Sequence, residues 1–165
     1  MAKFDNSLVA VTSRSFSTNQ FLVKKLKESY PNVSLNLTGK TLKENELVKF
    51  LANADKAIVG IEIIDKDILD QLPKLKLISK YGVGLNNLDL DECKKRNIQI
   101  KFQPGSNKQS VAEFTLLLML NSLRQVHNNK TEIIEGNWTQ AKGQELKGKK
   151  IGIIGFGNIG SCLVS

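Results

Sequence analysis

The run Leu75-Lys76-Leu77-Ile78-Ser79, continuing through Lys80-Tyr81 into the glycine turn Gly82-Val83-Gly84, decides the fold. An apolar stretch of this length that ends in glycines reads as a buried strand. Asp89 to Asn97 follows as a helix. It opens on acids and closes on Lys94, Lys95 and Arg96, the charge order a helix dipole favours. Ile98-Gln99-Ile100-Lys101-Phe102 is then a second strand. Strand, helix and strand in this order imply parallel pairing through a right-handed crossover.

The alternation extends toward the N-terminus. Leu8-Val9-Ala10-Val11-Thr12 reads as a buried strand, with the polar cluster Ser13 to Asn19 as a loop behind it. Phe21, Leu22, Lys25, Leu26 and Ser29 fall at helical spacing until Pro31. Val33-Ser34-Leu35-Asn36-Leu37 alternates with period two, as a half-exposed strand near a sheet edge should. Glu44 to Asn53 predicts a helix with Leu47, Val48 and Leu51 inward, and Ala57-Ile58-Val59-Gly60 a short central strand. Glu62 and Asp65 follow that strand as solvated loop acids, and Asp67 to Leu72 forms a short helix stopped by Pro73. The expected fold class is α/β: a flavodoxin-like, doubly wound parallel sheet of five strands over residues 1–103, with helices on both faces.

Pro104-Gly105-Ser106 marks the boundary, and residues 104–165 read as the start of a Rossmann nucleotide-binding domain. A long helix over Val111 to Leu123 carries apolar side chains around most of its circumference, so it expects cover on nearly all sides. A more polar helix over Asn129 to Glu135 and the turn Gly136-Asn137-Trp138 lead to an expected strand, Lys150-Ile151-Gly152-Ile153-Ile154. The fingerprint Gly155-Phe156-Gly157-Asn158-Ile159-Gly160 follows, with Cys162, Leu163 and Val164 beginning a helix.

Strand, glycine turn and helix are what dinucleotide binding requires. Gly155 would make the tight turn, Gly157 would let a pyrophosphate approach the backbone, and Gly160 would let the helix lie close to the strand. The amides of Asn158 and Ile159 would face phosphate oxygens. A glycine turn with no ligand is the competing reading. The acidic residue for the ribose hydroxyl, expected roughly 20 residues further on, falls beyond Ser165. Tyr81-Gly82-Val83-Gly84 sits at the C-terminal end of a parallel strand, where exposed amides can hold a carboxylate or simply turn the chain.

Composition narrows the function classes. Lys plus Arg 24 against Asp plus Glu 16 leaves +8 on 165 residues, which favours anionic partners or is a solvated basic surface. The cations are scattered with no arginine–aromatic interleaving, so nucleic acid is not an expected partner. The longest apolar run, Leu116 to Leu120, is far too short for a helical span, so no membrane partner is expected. Met1-Ala2-Lys3-Phe4-Asp5-Asn6 has no apolar leader, and Cys93 and Cys162 lie far apart. Both are expected as reduced thiols in a cytoplasmic protein. A single histidine, His127, excludes a multi-histidine zinc site, and no metal ligands are assigned.

Several motifs in order resemble one family. Ile78-Ser79-Lys80-Tyr81-Gly82-Val83-Gly84-Leu85-Asn86-Asn87-Leu88-Asp89 resembles the substrate loop of the D-isomer-specific 2-hydroxyacid dehydrogenases, particularly the phosphoglycerate-dehydrogenase-like branch. Pro104 to Asn107 and Ser110 to Glu113 resemble that family's crossover into its nucleotide domain. Gly136 to Trp138 and Gly143 to Lys149 resemble the approach to its first Rossmann strand. The ordered match runs from about residue 56 to the end, the N-terminal half of a family member.

The resemblance implies NAD-linked interconversion of a small 2-hydroxy acid and its 2-oxo acid. By carry-over Gly82, Val83 and Gly84 would hold the substrate carboxylate, with Val83 also close to the nicotinamide. Gly155, Gly157, Asn158, Ile159 and Gly160 would hold the cofactor. The family's catalytic Arg, Glu and His come from later strands, so no catalytic residue is assigned here. A truncated chain of this kind is expected to be inactive alone and to bind NAD weakly or not at all. His127 is expected as an exposed residue and no substitute. Asn86 stands where the family has Asp, and Gly60-Ile61-Glu62 where phosphoglycerate enzymes carry an Arg-Ser pair, which argues against a phosphorylated substrate. The alternative is a non-enzymatic oligomeric remnant or interaction module, a homodimer through helix 111–123.

Overall fold

Val9, Ala10 and Val11 are buried on both faces of a sheet and form β1 (Val9–Val11), as a central parallel strand must. The computed structural model describes residues 5–138 and 141–164. Met1 to Phe4, where the leader-free start is expected, lie outside the described residues, as do Thr139, Gln140 and Ser165. Two compact units divide the chain, Met1–Pro104 and Gly105–Ser165.

In the first unit, β1 is followed by α1 (Arg14–Ser17), α2 (Gln20–Ser29), β2 (Val33–Leu35), α3 (Glu44–Leu51) and β3 (Lys56–Val59). Then come α4 (Lys66–Asp70), β4 (Leu77–Lys80), α5 (Leu90–Lys95) and β5 (Gln99–Lys101). The strands lie in the order β2-β1-β3-β4-β5, all parallel, with Val9, Lys56, Leu77 and Gln99 in register. The chain leaves β1 toward one edge and returns to β3 on the other side. That makes the β1–β3 gap the topological switch point of the sheet.

Side-chain caps fix where the helices begin. Asn19 accepts from the amide of Leu22, Asp65 from Ile68 and Asp89 from Glu92. One sheet face, carrying Ala10, Ala57, Val59 and Ile78, packs with Leu47, Leu51, Ile68, Leu69 and Cys93 into the core. On the opposite face Ile58, Leu77 and Ser79 are only half-buried and Lys101 is exposed. There Leu26 of α2 and Tyr30, which caps its C-terminus, border a hollow of about 270 Å3, with Lys56 over the Tyr30 ring. The expected loop Ser13 to Asn19 is instead the short α1. Its first turn is closed by the Ser13 hydroxyl, and Phe16 sets its ring edge-on to Tyr81 at 5.4 Å.

The second unit holds α6 (Lys108–Arg124), α7 (Val126–Ile134) and α8 (Asn158–Leu163). Only Ala112 of α6 is buried. The strand expected over Lys150 to Ile154 is not formed, and Ile151 and Ile154 stand exposed. A parallel strand exists only by hydrogen bonding to neighbours, and none of the described residues pairs with this segment. Among the described residues, no helix is long and apolar enough to cross a membrane.

Candidate functional site

The exits of β3 and β4 meet at the C-terminal edge of the sheet. The Tyr81 amide donates to the carbonyl of Val59 at 2.8 Å, which carries the β3–β4 pairing one residue past the strand. The chain then turns at Gly82, whose φ of +149° favours glycine. Beyond it, a side chain at Gly84 would crowd the Asn86 carboxamide oxygen. Among the described residues the amides of Gly82, Val83 and Gly84 donate to no other group. They border an open cavity of about 320 Å3, together with Ile61, Lys80 and Asn87. Three undirected amides beside a cation suit an anionic ligand of carboxylate size.

Lys80 is that cation. Its Nζ donates to the Gly60 carbonyl and, at 2.6 Å, to Asn87 Oδ1. Burial pulls its pKa below the ordinary lysine value, and the charge of Glu62 works in the other direction. Asn87 Nδ2 donates to the Glu62 carbonyl at 2.5 Å and to the Gly60 carbonyl at 3.3 Å. Parallel bridging of Ile64 with Leu88 completes the joint, with Ile64 N donating to Asn87 O at 2.9 Å. These bonds tie the two exit loops into one platform under the glycine turn.

Glu62 is not the solvated loop acid expected from sequence. It is 2% exposed, and its Oε2 accepts from Thr12 Oγ1 and from the Gly60 amide, both at 2.8 Å. The flanking Ile61 and Ile63 are exposed instead. Asp65 is exposed but committed to capping α4.

In the second unit the fingerprint folds as a turn into α8 without the preceding strand. Gly155 has φ +94°, Gly157 caps α8, and any side chain at Gly160 would collide with the Gly155 carbonyl oxygen. Asn158 and Ile159 are exposed in the first turn. α8 lies beside the start of α6, with Cys162 Sγ donating to Gln109 Oε1 at 3.2 Å and the Asn158 carboxamide close against Gly105. Asn107 Oδ1, at the head of α6, is buried with no hydrogen-bond partner among the described residues. His127 is exposed on α7. The described residues hold no His, Cys, Asp and Glu group with metal-ligand geometry.

The sequence assigns Gly82, Val83, Gly84 and the fingerprint glycines to binding and reads Glu62 as a solvated loop acid; it assigns no role to Lys80, Asn87, Thr12 or Asn107. One signal for Asn87 was available, since it follows a glycine turn and precedes a capping Asp89.

Comparison with known proteins follows the same lines. The sequence profile described as D-isomer specific 2-hydroxyacid dehydrogenase, catalytic domain, matches residues 9–156. A hydroxypyruvate reductase from Thermotoga maritima is 36% identical over 129 residues, covering 76% of this chain and 42% of that protein. A Polaromonas structure reported as a D-isomer specific 2-hydroxyacid dehydrogenase superposes with a TM-score of 0.88 at 24% identity, a likeness of fold. It covers 97% of this chain and 51% of its own. D-lactate dehydrogenase from Aquifex aeolicus, solved with NAD and lactic acid, gives a TM-score of 0.71 at 27% identity. There the match covers 94% of this chain and 46% of that one. The chain thus spans about half the length, or less, of these relatives.

Proposed function

Because this chain belongs to the D-isomer specific 2-hydroxyacid dehydrogenase family, we propose that residues 1–165 supply the substrate-binding half of an oxidoreductase and the first part of its nucleotide domain. The reaction is interconversion of a 2-hydroxy acid and a 2-oxo acid with NAD. One observation carries the reading: the undirected amides of Gly82, Val83 and Gly84 at the end of β4, with Lys80 beside them.

In this reading the substrate carboxylate accepts from those amides and Lys80 adds a positive field. Lys80 is already bonded to Gly60 and Asn87, so it acts by charge and by holding the platform still. Val83, half-buried at the rim, sets the side on which the nicotinamide lies. The glycine turn suits a pyrophosphate: open space surrounds Gly155 and Gly157, and the Asn158 and Ile159 amides head α8. When bound, NAD supplies the hydride acceptor. The buried, orphaned Asn107 oxygen is a further acceptor in the same unit.

Oxidation of a hydroxy acid also needs a group to take the hydroxyl proton. No residue of this platform is assigned that work, so in this reading residues 1–165 by themselves are inactive, and the glycine turn, with no strand formed ahead of it, holds NAD weakly. The test has two parts. Purified chain of confirmed mass is assayed with NADH and glyoxylate, hydroxypyruvate or pyruvate, and no turnover is expected. D-lactate is titrated into 15N-labelled chain, where the Gly82, Val83 and Gly84 amides should shift. Robust turnover, micromolar NAD binding by calorimetry, or silence at those amides would each overturn the corresponding part.

A second reading rests on a separate observation. Phe114, Leu116, Leu117, Leu118 and Leu120 of α6 are all exposed. Covering such a surface against a second copy would make this chain a homodimer through helix 111–123.

A further inference from the structure

We infer that the switch point of the sheet carries a second subsite, for the hydroxylated tail of a sugar-derived 2-hydroxy acid. A cavity of about 420 Å3 opens there, between the segment after β1 and the segment after β3. In doubly wound sheets this crevice is where ligands settle. Ser13, Arg14, Ser15 and Thr18 line it from the segment after β1 and Gly60, Ile61 and Glu62 from the segment after β3, with Gly39 and Tyr81 also bordering it. Ile61 and Tyr81 also border the cavity at Gly82, Val83 and Gly84, so the two hollows adjoin along one shared wall.

The wall chemistry selects the ligand. Glu62 is a buried carboxylate whose Oε2 is committed to Thr12 and Gly60, while its Oε1 makes no hydrogen bond among the described residues. An acceptor that reaches an open cavity with no partner of its own is available to a ligand donor. Opposite it, Arg14 spends one Nη1 bond on the Gly39 carbonyl at 3.3 Å, leaving the rest of its fork available. The Ser13 and Ser15 hydroxyls lie 3.3 Å apart and can donate or accept. A wall offering an acceptor, a donor fork and paired hydroxyls matches adjacent hydroxyl groups, each of which both donates and accepts. The Tyr81 ring, held edge-on by Phe16, gives the carbon chain an apolar side to lie on. A phosphate would meet Arg14 favourably but would be repelled by Glu62, and an alkyl tail would offer nothing to Glu62 Oε1 or to the remaining Arg14 donors.

The inference rests on the reading that the carboxylate sits at Gly82, Val83 and Gly84, and the test separates the two. The 15N-labelled chain is titrated with D-lactate, D-gluconate and inorganic phosphate. D-gluconate should shift the Ser13, Arg14, Ser15 and Gly60 amides together with Gly82, Val83 and Gly84. It should bind about ten-fold more tightly than D-lactate, the gain expected of a hydrogen bond to a charged group. Arg14→Ala and Ser15→Ala should bring D-gluconate to within about two-fold of D-lactate. Silence at Ser13, Arg14 and Ser15, a preference untouched by both variants, or phosphate shifting these amides more than D-gluconate would overturn the subsite. If they respond to D-gluconate while Gly82, Val83 and Gly84 stay silent with both acids, the subsite stands and the carboxylate reading falls.

Discussion

Lys80 and Asn87 grip each other across the glycine turn, Nζ donating to Oδ1 at 2.6 Å, while the same carboxamide reaches back to the Glu62 carbonyl at 2.5 Å. One side chain at the end of β4 and one in the loop after it thereby fasten that loop to the exit of the neighbouring strand. The turn itself contributes no internal bond from its amides, so its shape depends on this fastening.

Asn87→Ala should therefore do two things. Leaving the Glu62 carbonyl without its partner and the Lys80 ammonium with only Gly60 should cost about 1–3 kcal/mol, read as a lower urea midpoint. Hydrogen exchange at the Tyr81 and Ile64 amides, which bond Val59 and Asn87 across the joint, should quicken more than at β1. An unchanged midpoint with unchanged exchange would show that the platform holds without the carboxamide.

Lys80 should also leave a trace in the pH dependence of folding. Burial lowers its pKa in the folded chain, with Glu62 opposing, from an ordinary 10.5. The folded state thus binds this proton less readily than the unfolded state. Stability from this group rises as pH climbs from the folded pKa toward 10.5, and the penalty is full below that window. Lys80→Met should flatten the rise. Direct NMR titration of the Lys80 Cε resonance checks the sign, and a midpoint at or above 10.5 would refute it.

At the acid end the relevant cluster joins α4 and α5. Arg96, hydrogen-bonded to Glu92 at 2.9 and 2.7 Å, holds that carboxyl below its ordinary 4.5, with Lys95 assisting. Lys66, and after it Arg96, does the same for Asp70, whose ordinary value is 3.8. Depressed carboxylates stabilise the fold fully above their ordinary values, and the contribution vanishes as pH falls through the folded ones. Arg96→Leu should lower the urea midpoint at pH 7 and make its decline toward pH 2 shallower. A parallel pair of curves would mean the cluster is solvent-screened into irrelevance.

What could be read without coordinates follows the range of the interactions involved. β1, β3 and β4 announce themselves because Val9 to Val11, Ala57 to Val59 and Leu77 to Ser79 are short apolar runs closed by turn residues. Caps at Asn19 and Asp89 are equally local, since donor and acceptor lie three residues apart. Glu62 escapes that logic. Its partner Thr12 is fifty residues away, and Ile61 and Ile63 invert the usual polarity by facing out. α1 has a local cap at Ser13, but its Phe16 ring meets Tyr81, another distant pair. Lys150 to Ile154 fails in the opposite way: its pattern says strand, but a strand is a property of two segments, and the described residues provide one.

Gly160 offers a sharper test of the second unit. A methyl there would strike the Gly155 carbonyl, so Gly160→Ala should lift α8 off the glycine turn. Because Cys162 lies against Gln109 of α6, its alkylation by iodoacetamide should accelerate several-fold. Cys93 is buried in the first unit with its pKa raised by desolvation, and it serves as the unreactive internal reference. Equal rates in both proteins would place α8 elsewhere.

The exposed side of α6 decides between a solitary chain and a paired one. Leu117 is 57% exposed and Phe114, one turn back, is equally so. Burying a leucine contributes about 1.5–3 kcal/mol, so two copies facing each other through several such residues gain enough to associate at micromolar concentration. Leu117→Glu would set a carboxylate in each half of that contact, where burial of an unpaired charge opposes assembly. Sedimentation velocity should show a dimer for the unsubstituted chain and a monomer for the variant, with the same helical circular dichroism. A monomer in both cases would remove α6 as the contact.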